Sequence, residues 1–440
     1  MRRSLAGRSF VLALSGALAA CSQQNAPSSL APAGSGATST AASTVAVAAA
    51  TSSADAGASS WDMDDNLVIP PEKFSDPQKA FALAKEAMLN RYYAAGLTEE
   101  DLYRAAVRGM LSDVDPAMHK WNKLLSPGEL AELNSDLKGE IVGIGVRIRF
   151  DAATGHILVL SVIPGTPADK AGVHSMDLVL SVNGKHFKAK GEMGEMEALH
   201  EIRGKAGEPV TLSVLRDDTI LPFSIVRAKV TLDDVRHQVY GGLGYLSVLQ
   251  FSERTTAAFK QSLDDFAAAH VSGIALDLRH NSGGSFDEAV KCAELLLPAG
   301  SPIVTLERRN GKMETFTSKG SPAQPNVPVV VLVDHATSSG AELVTAALAE
   351  QRKARSVGMK TFGKWSVQFI EDLPNGYAIK YTSALFHAPS GKTYQGEGMV
   401  PDVEVDESED QIGRALQIQD LGQRAAVDPQ LRTAFALLKP

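Results

Sequence analysis

The sequence predicts an α/β chain built from successive modules, and three observations predict it. Two segments of the second half each run an apolar strand into a glycine-bearing loop and then a helix: residues 273–278 before Gly283 and Gly284, and residues 328–333 before Gly340. Residues 138–228 carry short alternating strands, and residues 76–137 carry apolar side chains at helical spacing. Such strand–loop–helix units assemble into a sheet with helices on its faces. The 440 residues suit about two to four domains. With 44% hydrophobic and 21% charged residues, a mostly disordered chain and a polytopic membrane protein are excluded. The net charge of −8, without a Lys/Arg run, argues against nucleic acid as a partner. Two cysteines exclude a disulfide scaffold and a multi-cysteine metal site.

Residues 1–21 read as an export address. Arg2, Arg3 and Arg8 precede the apolar run 9–20, which is too short for a ~30 Å hydrocarbon core and fits a signal h-region. Leu18-Ala19-Ala20-Cys21 resembles a bacterial lipobox, which implies lipidation of Cys21; plain cleavage after Ala20 is the alternative. Ser22 after the cysteine is similar to the outer-membrane sorting pattern. The expected location is therefore periplasmic, lipid-anchored to a membrane, the outer one before the inner. Removal of residues 1–20 leaves a net charge of −11 and Cys292 as the only thiol of the folded body, with buried packing as its expected role. Residues 22–65 form a linker: 27 of the 39 residues 22–60 are Ala, Ser or Thr, and Asp55 is the one charge there. Such a stretch buries too little apolar surface to order itself, and the body begins near Trp61.

Residues 66–137 are expected to be helical, as a cap or a dimerisation arm. Phe81, Ala84, Met88 and Tyr92 recur at helical spacing, as do Leu102, Ala105, Ala106 and Met110. Thr98 with Asp101, and Ser126-Pro127 with Glu129, mark helix starts. Over 138–228 come the Gly143-Ile144-Gly145-Val146 loop with its strand, the Pro164-Gly165-Thr166-Pro167 turn, Asp177 leading a strand to Asn183-Gly184, a helix at 192–203 and a final strand. This order resembles a PDZ domain. The resemblance implies that Gly143, Ile144, Gly145 and Val146 hold a C-terminal carboxylate on backbone N–H groups, and that the next strand edge takes the peptide by β-augmentation. Met176 departs from the usual glycine and should loosen a turn.

The chemistry is expected in residues 229–405. The loop Arg279-His280-Asn281-Ser282-Gly283-Gly284 and the loop Asp334-His335-Ala336-Thr337-Ser338-Ser339-Gly340 follow neighbouring strands, at the sheet edge where α/β proteins bind ligands. Their backbone N–H groups suit a developing negative charge. Ser339 alone could be an N-cap. The segment 361–369 reads as a strand whose alternation puts Lys364, Ser366 and Gln368 on one face and Trp365, Val367 and Phe369 on the other. A lysine of ordinary pKa, about 10.4, is no base at neutral pH. Burial lowers it, and a serine needs such a base to attack a carbonyl. Gln368 could orient the amine.

The order of these parts, D-L-R-x-N-x-G-G, S-x-x-E, T-F-G-K-x-x-V-Q and the glycine-rich segment from Pro389 through Gln395, Gly396 and Gly398 to Pro401-Asp402, is similar to the carboxyl-terminal processing proteases, serine peptidase family S41. The resemblance runs from about residue 76 to the C-terminus and includes the tail Asp428-Pro429-Gln430-Leu431. In that family a lysine follows the serine by 25 residues and a glutamine follows the lysine by four, as here from Ser339 to Lys364 to Gln368. This implies Ser339 as nucleophile, Lys364 as base and Gln368 as orienting residue, with an oxyanion hole of Gly340 and Gly283 or Gly284. It also implies a ClpP/crotonase-like core with an inserted PDZ domain and a helical N-terminal cap, a helical tail over 406–440, and no metal or other cofactor. The expected activity is endoproteolysis in or near protein C-terminal regions, with the PDZ domain capturing and gating on substrate tails; a homodimer or an adaptor stays open.

Glu342 anchors the register at Ser339, not Ser338. Trp365 replaces a glycine and should narrow the site, and Ser282 replaces a proline. A Ser-His-Asp reading would draw on His335, Asp334, His280 or His387, but no G-x-S-x-G elbow is present. The rival from another class, a catalytically dead PDZ scaffold, conflicts with the intact Ser339, Lys364 and Gln368.

Overall fold

The structure, a computed structural model, describes residues 75–439 except 116, 152–153, 188–190, 232, 321, 323–326, 408–410, 412–414 and 416–417. Cys21, Trp61 and the segments expected to be an export signal and a linker lie outside the described residues. These divide into two units between Leu102 and Tyr103. The first holds helix α1 (Pro77–Arg91), capped by the Asp76 carboxylate, and the start of α2 (Glu99–Asp113), where Thr98 and Asp101 close the expected capping box. The helices form as their periodicity predicts, but the predicted apolar stripe is not a core: Phe81, Met88, Tyr92 and Met110 are all exposed.

The second unit departs from the all-helical expectation after α2. A short strand β1 (Lys123–Leu125) precedes α3 (Pro127–Leu137). Leu124 and Leu125 are buried, and the strand pairs with a partner more than 250 residues away, which local periodicity does not encode. Ser126 and Glu129 form the reciprocal capping box at α3, with Pro127 in its first turn. Strand β2 (Glu140–Gly143) then leads into the PDZ region, where β3 (Val146–Asp151), β4 (His156–Val162), α4 (Pro167–Ala171), β5 (Leu178–Val182), α5 (Gly191–Ile202), β6 (Pro209–Arg216) and β7 (Thr219–Val226) follow. The five strands lie antiparallel in chain order, leaving β3 at an edge. Ile144, Ile157, Val179, Val210, Leu212 and Ile225 belong to its core. Met176 sits at φ 70, where a Cβ costs about 1–2 kcal/mol; this is the strain that a glycine would relieve. β8 (Ala228–Thr231) pairs back on β2, closing the region with a two-stranded stem.

Beyond the stem lie β9 (Val235–Tyr240), β10 (Leu243–Val248), α6 (Thr255–Ala268), β11 (Ile274–Asp277) and α7 (Phe286–Glu294). Next come β12 (Pro302–Arg308), β13 (Lys312–Thr317), β14 (Val329–Val333), α8 (Gly340–Arg352) and β15 (Arg355–Gly358). The chain ends with β16 (Ser366–Asp372), β17 (Ala378–His387), β18 (Val403–Glu404), α9 (Leu421–Val427) and α10 (Pro429–Leu438). A six-stranded sheet runs β18-β15-β14-β11-β10-β9, parallel except for the β9/β10 hairpin. Its central strands are apolar on both faces, as a sheet covered on both sides requires. One face packs under α6, α7 and α8, and Cys292 is buried in that layer as expected. The other face receives Leu431, Ala434, Phe435 and Leu438 of α10. A second sheet is built on β17, which pairs with β16 along one edge and with β1 and β12 in turn along the other.

Candidate active site

β11 and β14 are neighbouring parallel strands, so the loops after them meet at the carboxyl edge of the sheet. The sequence makes the first loop turn sharply: Gly283 has φ 101, and a Cβ there would lie 2.8 Å from the Ser339 Cβ and 3.0 Å from the Gly340 nitrogen. Only glycine allows the two loops this close. They are stitched together by Ser338 N–H to Asn281 O (3.0 Å), Ser338 Oγ to Ser282 O (2.9 Å) and Thr337 Oγ1 to Leu278 O (2.9 Å). The Gly283 N–H donates to Asn281 Oδ1 at 2.8 Å, so it is already engaged. Among the described residues, the N–H groups of Gly284 and Gly340 donate to no protein acceptor.

Ser339 stands at the N-cap of α8, where the Glu342 side chain accepts its N–H as in a capping box. It has φ 54 and ψ −118, a strained conformation costing about 1–3 kcal/mol and concentrated at functional sites. Its side chain makes no capping hydrogen bond, and its fully buried Oγ has no hydrogen-bond partner among the described residues. The neighbouring Ser338 hydroxyl, by contrast, is held by Ser282.

Glu342, one turn into α8 and wholly buried, joins the two halves of the site. Its Oε2 accepts the N–H of Ser339 (3.0 Å) and of Lys364 (2.9 Å); its Oε1 accepts the N–H of Gly363 (2.8 Å) and the hydroxyl of Thr361 (2.6 Å). Burial pushes its carboxyl pKa up, against the pull of these four donors. The T-F-G-K segment is locked from the far side as well: a Cβ at Gly363 would meet the Gly398 nitrogen at 2.5 Å, and one at Gly398 would meet the Thr361 oxygen at 2.0 Å. The two glycine motifs thus interlock.

Lys364 is 3% exposed. Burial, then the charge of Lys380, push its pKa down to about 7, opposed by Glu342. The amine lies 4.7 Å from the centroid of the Trp121 ring, which comes from the turn before β1 and also meets Phe362 edge-on. Asn122, next to it, accepts the Thr382 N–H of β17 at 2.9 Å. The sequence gives no sign that residues 118–122 cover the site; only the tertiary fold shows it.

The expected strand over 361–369 begins only at Ser366, because Thr361 to Trp365 spend their hydrogen bonds on Glu342, Met399, Thr337 and Gln395. The expected alternation fails too: a bulge at Val367/Gln368 breaks the register with β17, and Lys364, Trp365, Ser366, Val367 and Gln368 are all buried. Trp365 does not narrow the site; its ring fills the core against Phe386 (4.7 Å) and Tyr394 (4.9 Å). The Gln368 amide donates to Ser366 Oγ (3.2 Å) and Thr382 Oγ1 (3.1 Å), so it braces the wall of the site. Beside Thr382 opens a cleft of about 290 Å³ lined by Asp115, Met118, Arg308, Arg309 and Leu385.

The histidines serve other ends. His280 pairs with buried Asp334 (3.2 Å), which also accepts the N–H of Ala336 and Thr337, and His387 pairs with Glu307 (2.9 Å). Arg279 forks onto Asp277 (2.9 and 2.7 Å) and reaches Asp428 (3.1 and 2.9 Å) and Gln430 (3.0 Å), so the C-terminal tail motif anchors the base of the Gly283 loop. No cluster of His, Cys, Asp or Glu suited to a metal occurs among the described residues.

The family model for peptidase family S41 matches residues 242–405, and a PDZ domain model matches residues 142–226. The chain is 32% identical over 315 residues to a carboxy-terminal-processing protease of Bartonella bacilliformis, covering 70% of each. It is 32% identical over 324 residues to a CtpA-like serine protease of Staphylococcus aureus, covering 72% of this chain and 63% of that one. Among solved structures it is similar to the photosystem II D1 C-terminal processing protease, with 26% identity, a TM-score of 0.52 and coverage of 78% and 93%. An S41 protease structure from Bacteroides fragilis shares the fold at 18% identity, with a TM-score of 0.53 and coverage of 83% and 99%.

Proposed function

Since the chain belongs to peptidase family S41, the carboxy-terminal-processing serine proteases, we propose that Ser339 is its nucleophile, Lys364 its general base and Gln368 the residue that orients the base. One observation carries this reading: a single carboxylate oxygen of Glu342 binds the backbone N–H of both Ser339 and Lys364, whose side chains are both buried. A lysine near 7 is half neutral at neutral pH and can take the Ser339 proton as Oγ attacks the scissile carbonyl. The oxyanion then faces the N–H groups of Gly340 and Gly284, each such donor lowering the barrier by ~3–4 kcal/mol. The protonated lysine passes its proton to the leaving amine, and water, activated by the same amine, releases the acyl-enzyme. The full chain is expected to degrade an unfolded protein, and Ser339→Ala to lose at least about a thousandfold in rate while remaining folded. A dead Ser338→Ala beside an active Ser339→Ala would move the nucleophile by one residue.

The PDZ domain is proposed to capture substrate C-termini along β3 and to gate cleavage. The place of β3 at the edge of its sheet among the described residues and the Gly143–Val146 loop support this. Gly145 has φ 87, and a Cβ there would lie 2.3 Å from the Thr166 side chain. Gly145→Ala should therefore distort the loop, weaken tail-peptide binding at least about tenfold and slow cleavage of tail-bearing substrates. Equal cleavage by this variant and the parent would sink the gate.

We also assign the core to the ClpP/crotonase-like superhelix, helices α1 and α2 to a helical cap, and their exposed apolar side chains to contact with a second copy or an adaptor. Residues 1–21 are proposed to export the chain and Cys21 to anchor it by lipid at the periplasmic face of a membrane. No helix of the described residues is long and apolar enough to cross one.

A further inference from the structure

Trp121 ends a single turn of 3-10 helix (His119–Trp121), and the fold fastens that turn on both sides. Before it, Met118 Sδ accepts the Gln395 amide N–H at 3.9 Å. Through Oε1 the same Gln395 accepts, at 2.7 Å, the backbone N–H of Trp365, the residue after Lys364. After it, Asn122 Oδ1 accepts the Thr382 N–H at 2.9 Å, and the Asn122 amide donates to Leu111 O at 3.1 Å. Thr382 in turn holds the Gln368 amide. The two clamps tie the indole to the backbone beside Lys364 and to the strand that braces Gln368. Between them the half-buried ring lies over the Lys364 amine, 4.7 Å from its centroid, with Phe362 edge-on at 6.0 Å. The indole N–H is buried and has no hydrogen-bond partner among the described residues. A buried indole ordinarily finds an acceptor, so hydrogen bonding does not set this placement; the face of the ring does.

We propose that Trp121 is a positioning residue for the base: its face seats the Lys364 amine and its body shuts water out, so the amine works dry and the ammonium formed as Ser339 attacks rests on an aromatic surface. The inference rests on the reading of Lys364 as that base. An aromatic face attracts the ammonium more than the amine, but less than a paired carboxylate does, so it steadies the cation without holding the proton. The cover acts in the opposite sense, because an amine cut off from water disfavours its charged form. The cover outweighs the face: burial can displace a lysine by several pH units, an aromatic face by about one. The other charges that act on the amine are the Glu342 carboxylate and the Lys380 ammonium. Lys120 lies 4.9 Å from the Trp121 ring and 6.0 Å from that of Phe362, but it is exposed and stays in water when Trp121 is changed.

Two measurements on the full chain test it. The first is the pH profile of kcat/KM on a quenched fluorescent unfolded protein, from about pH 5.5 to about pH 9.5. Trp121→Ala opens the amine to water, so the acid-side limb should move up by about one pH unit. The rate at pH 7 then falls about fivefold and returns to near the parent's by about pH 9. Trp121→Phe keeps a ring over the amine and should hold the limb to within about 0.3 unit. A folded Trp121→Ala whose rate loss is the same at every pH overturns the proposal, as does a limb that moves as far in Trp121→Phe. The second measurement is the emission of Trp121, taken as the difference between the parent and Trp121→Phe. It should titrate with the midpoint of that limb, since the ring meets an ammonium below it and a neutral amine above it, and the titration should vanish in Lys364→Met. An emission flat across this range, or one that titrates unchanged in Lys364→Met, overturns the proposal even where Trp121→Ala does not fold. The activity of Lys364→Met separates the two claims. If it retains the parent rate, the base assignment fails; if it is dead and the limb is unmoved in Trp121→Ala, only the role of Trp121 fails.

Discussion

Lys364→Met is expected to abolish peptide cleavage and, in the same molecule, to make the protein harder to unfold. The first effect follows from chemistry. Methionine fills the volume but takes no proton, and loss of the general base of a serine hydrolase costs about a thousandfold to a millionfold in rate. The second follows from burial. An amine at about 7 in the fold and 10.5 in the open chain carries a penalty of at most about 4–5 kcal/mol. Below about pH 7 the amine is protonated in both states and the whole penalty is present. Between about 7 and 10.5 the unfolded chain binds the proton and the folded chain does not, so the parent gains stability as pH rises. Urea unfolding should therefore show the largest advantage of Lys364→Met near pH 6 and a smaller one near pH 9, by about 2–3 kcal/mol. Methionine also packs well under an aromatic face such as Trp121, which is now over the ammonium. A variant that keeps more than about a tenth of the parent rate removes Lys364 from the chemistry. One less stable than the parent at pH 6 would mean that the amine is better satisfied in the fold than its burial implies.

How much of this was legible in the sequence depends on how local each feature is. The two strand–glycine loop–helix units could be read because every part lies within about 20 residues and each part has its own signal: an apolar run, a pair of glycines, a helix start. The register of Ser339, Lys364 and Gln368 came from the resemblance to family S41, in which a serine, a lysine and a glutamine recur at these spacings. The PDZ region came from the order of its turns. What could not be read is tertiary. Lys380 sits in Lys-Tyr-Thr-Ser, which scans as an exposed polar strand, yet β1 and β16 cover it from both sides. Trp121 ends a single 3-10 turn (His119–Trp121) with Asn122 just after it, too short for a periodic signal, and the Lys364 and Thr382 groups they meet are more than 240 residues away. The strand reading of 361–369 failed because its first five residues give their hydrogen bonds to Glu342, Thr337 and the glycine-rich segment instead of to a neighbouring strand. Alternation predicts faces only where a ladder holds the pleat.

Glu342 is the residue in which stability and activity should fail together. Its two oxygens accept three N–H groups and a hydroxyl, all buried, and these donors belong to the helix that carries Ser339 and to the segment that carries Lys364. Glu342→Gln changes little in volume but turns one acceptor into a donor. Whichever way the amide lies, its NH2 meets either the two N–H groups of Ser339 and Lys364 or the N–H of Gly363 and the hydroxyl of Thr361. Two buried donors then lose their acceptor, at about 1–3 kcal/mol each. The Thr361 hydroxyl can turn and bond the amide otherwise, whereas backbone N–H groups cannot, so the amide should face Thr361 and Gly363. That leaves the Ser339 and Lys364 anchors on the remaining oxygen without the carboxylate charge that strengthens them. The expected result is a loss of about 2–4 kcal/mol in stability and at least about a hundredfold in kcat, since sub-ångström displacement of a nucleophile from its base is enough for that. Thermal melting and turnover of the same preparation check it. A Glu342→Gln protein that melts with the parent and cleaves within about threefold of its rate would mean that the shared carboxylate does not set the geometry of the pair.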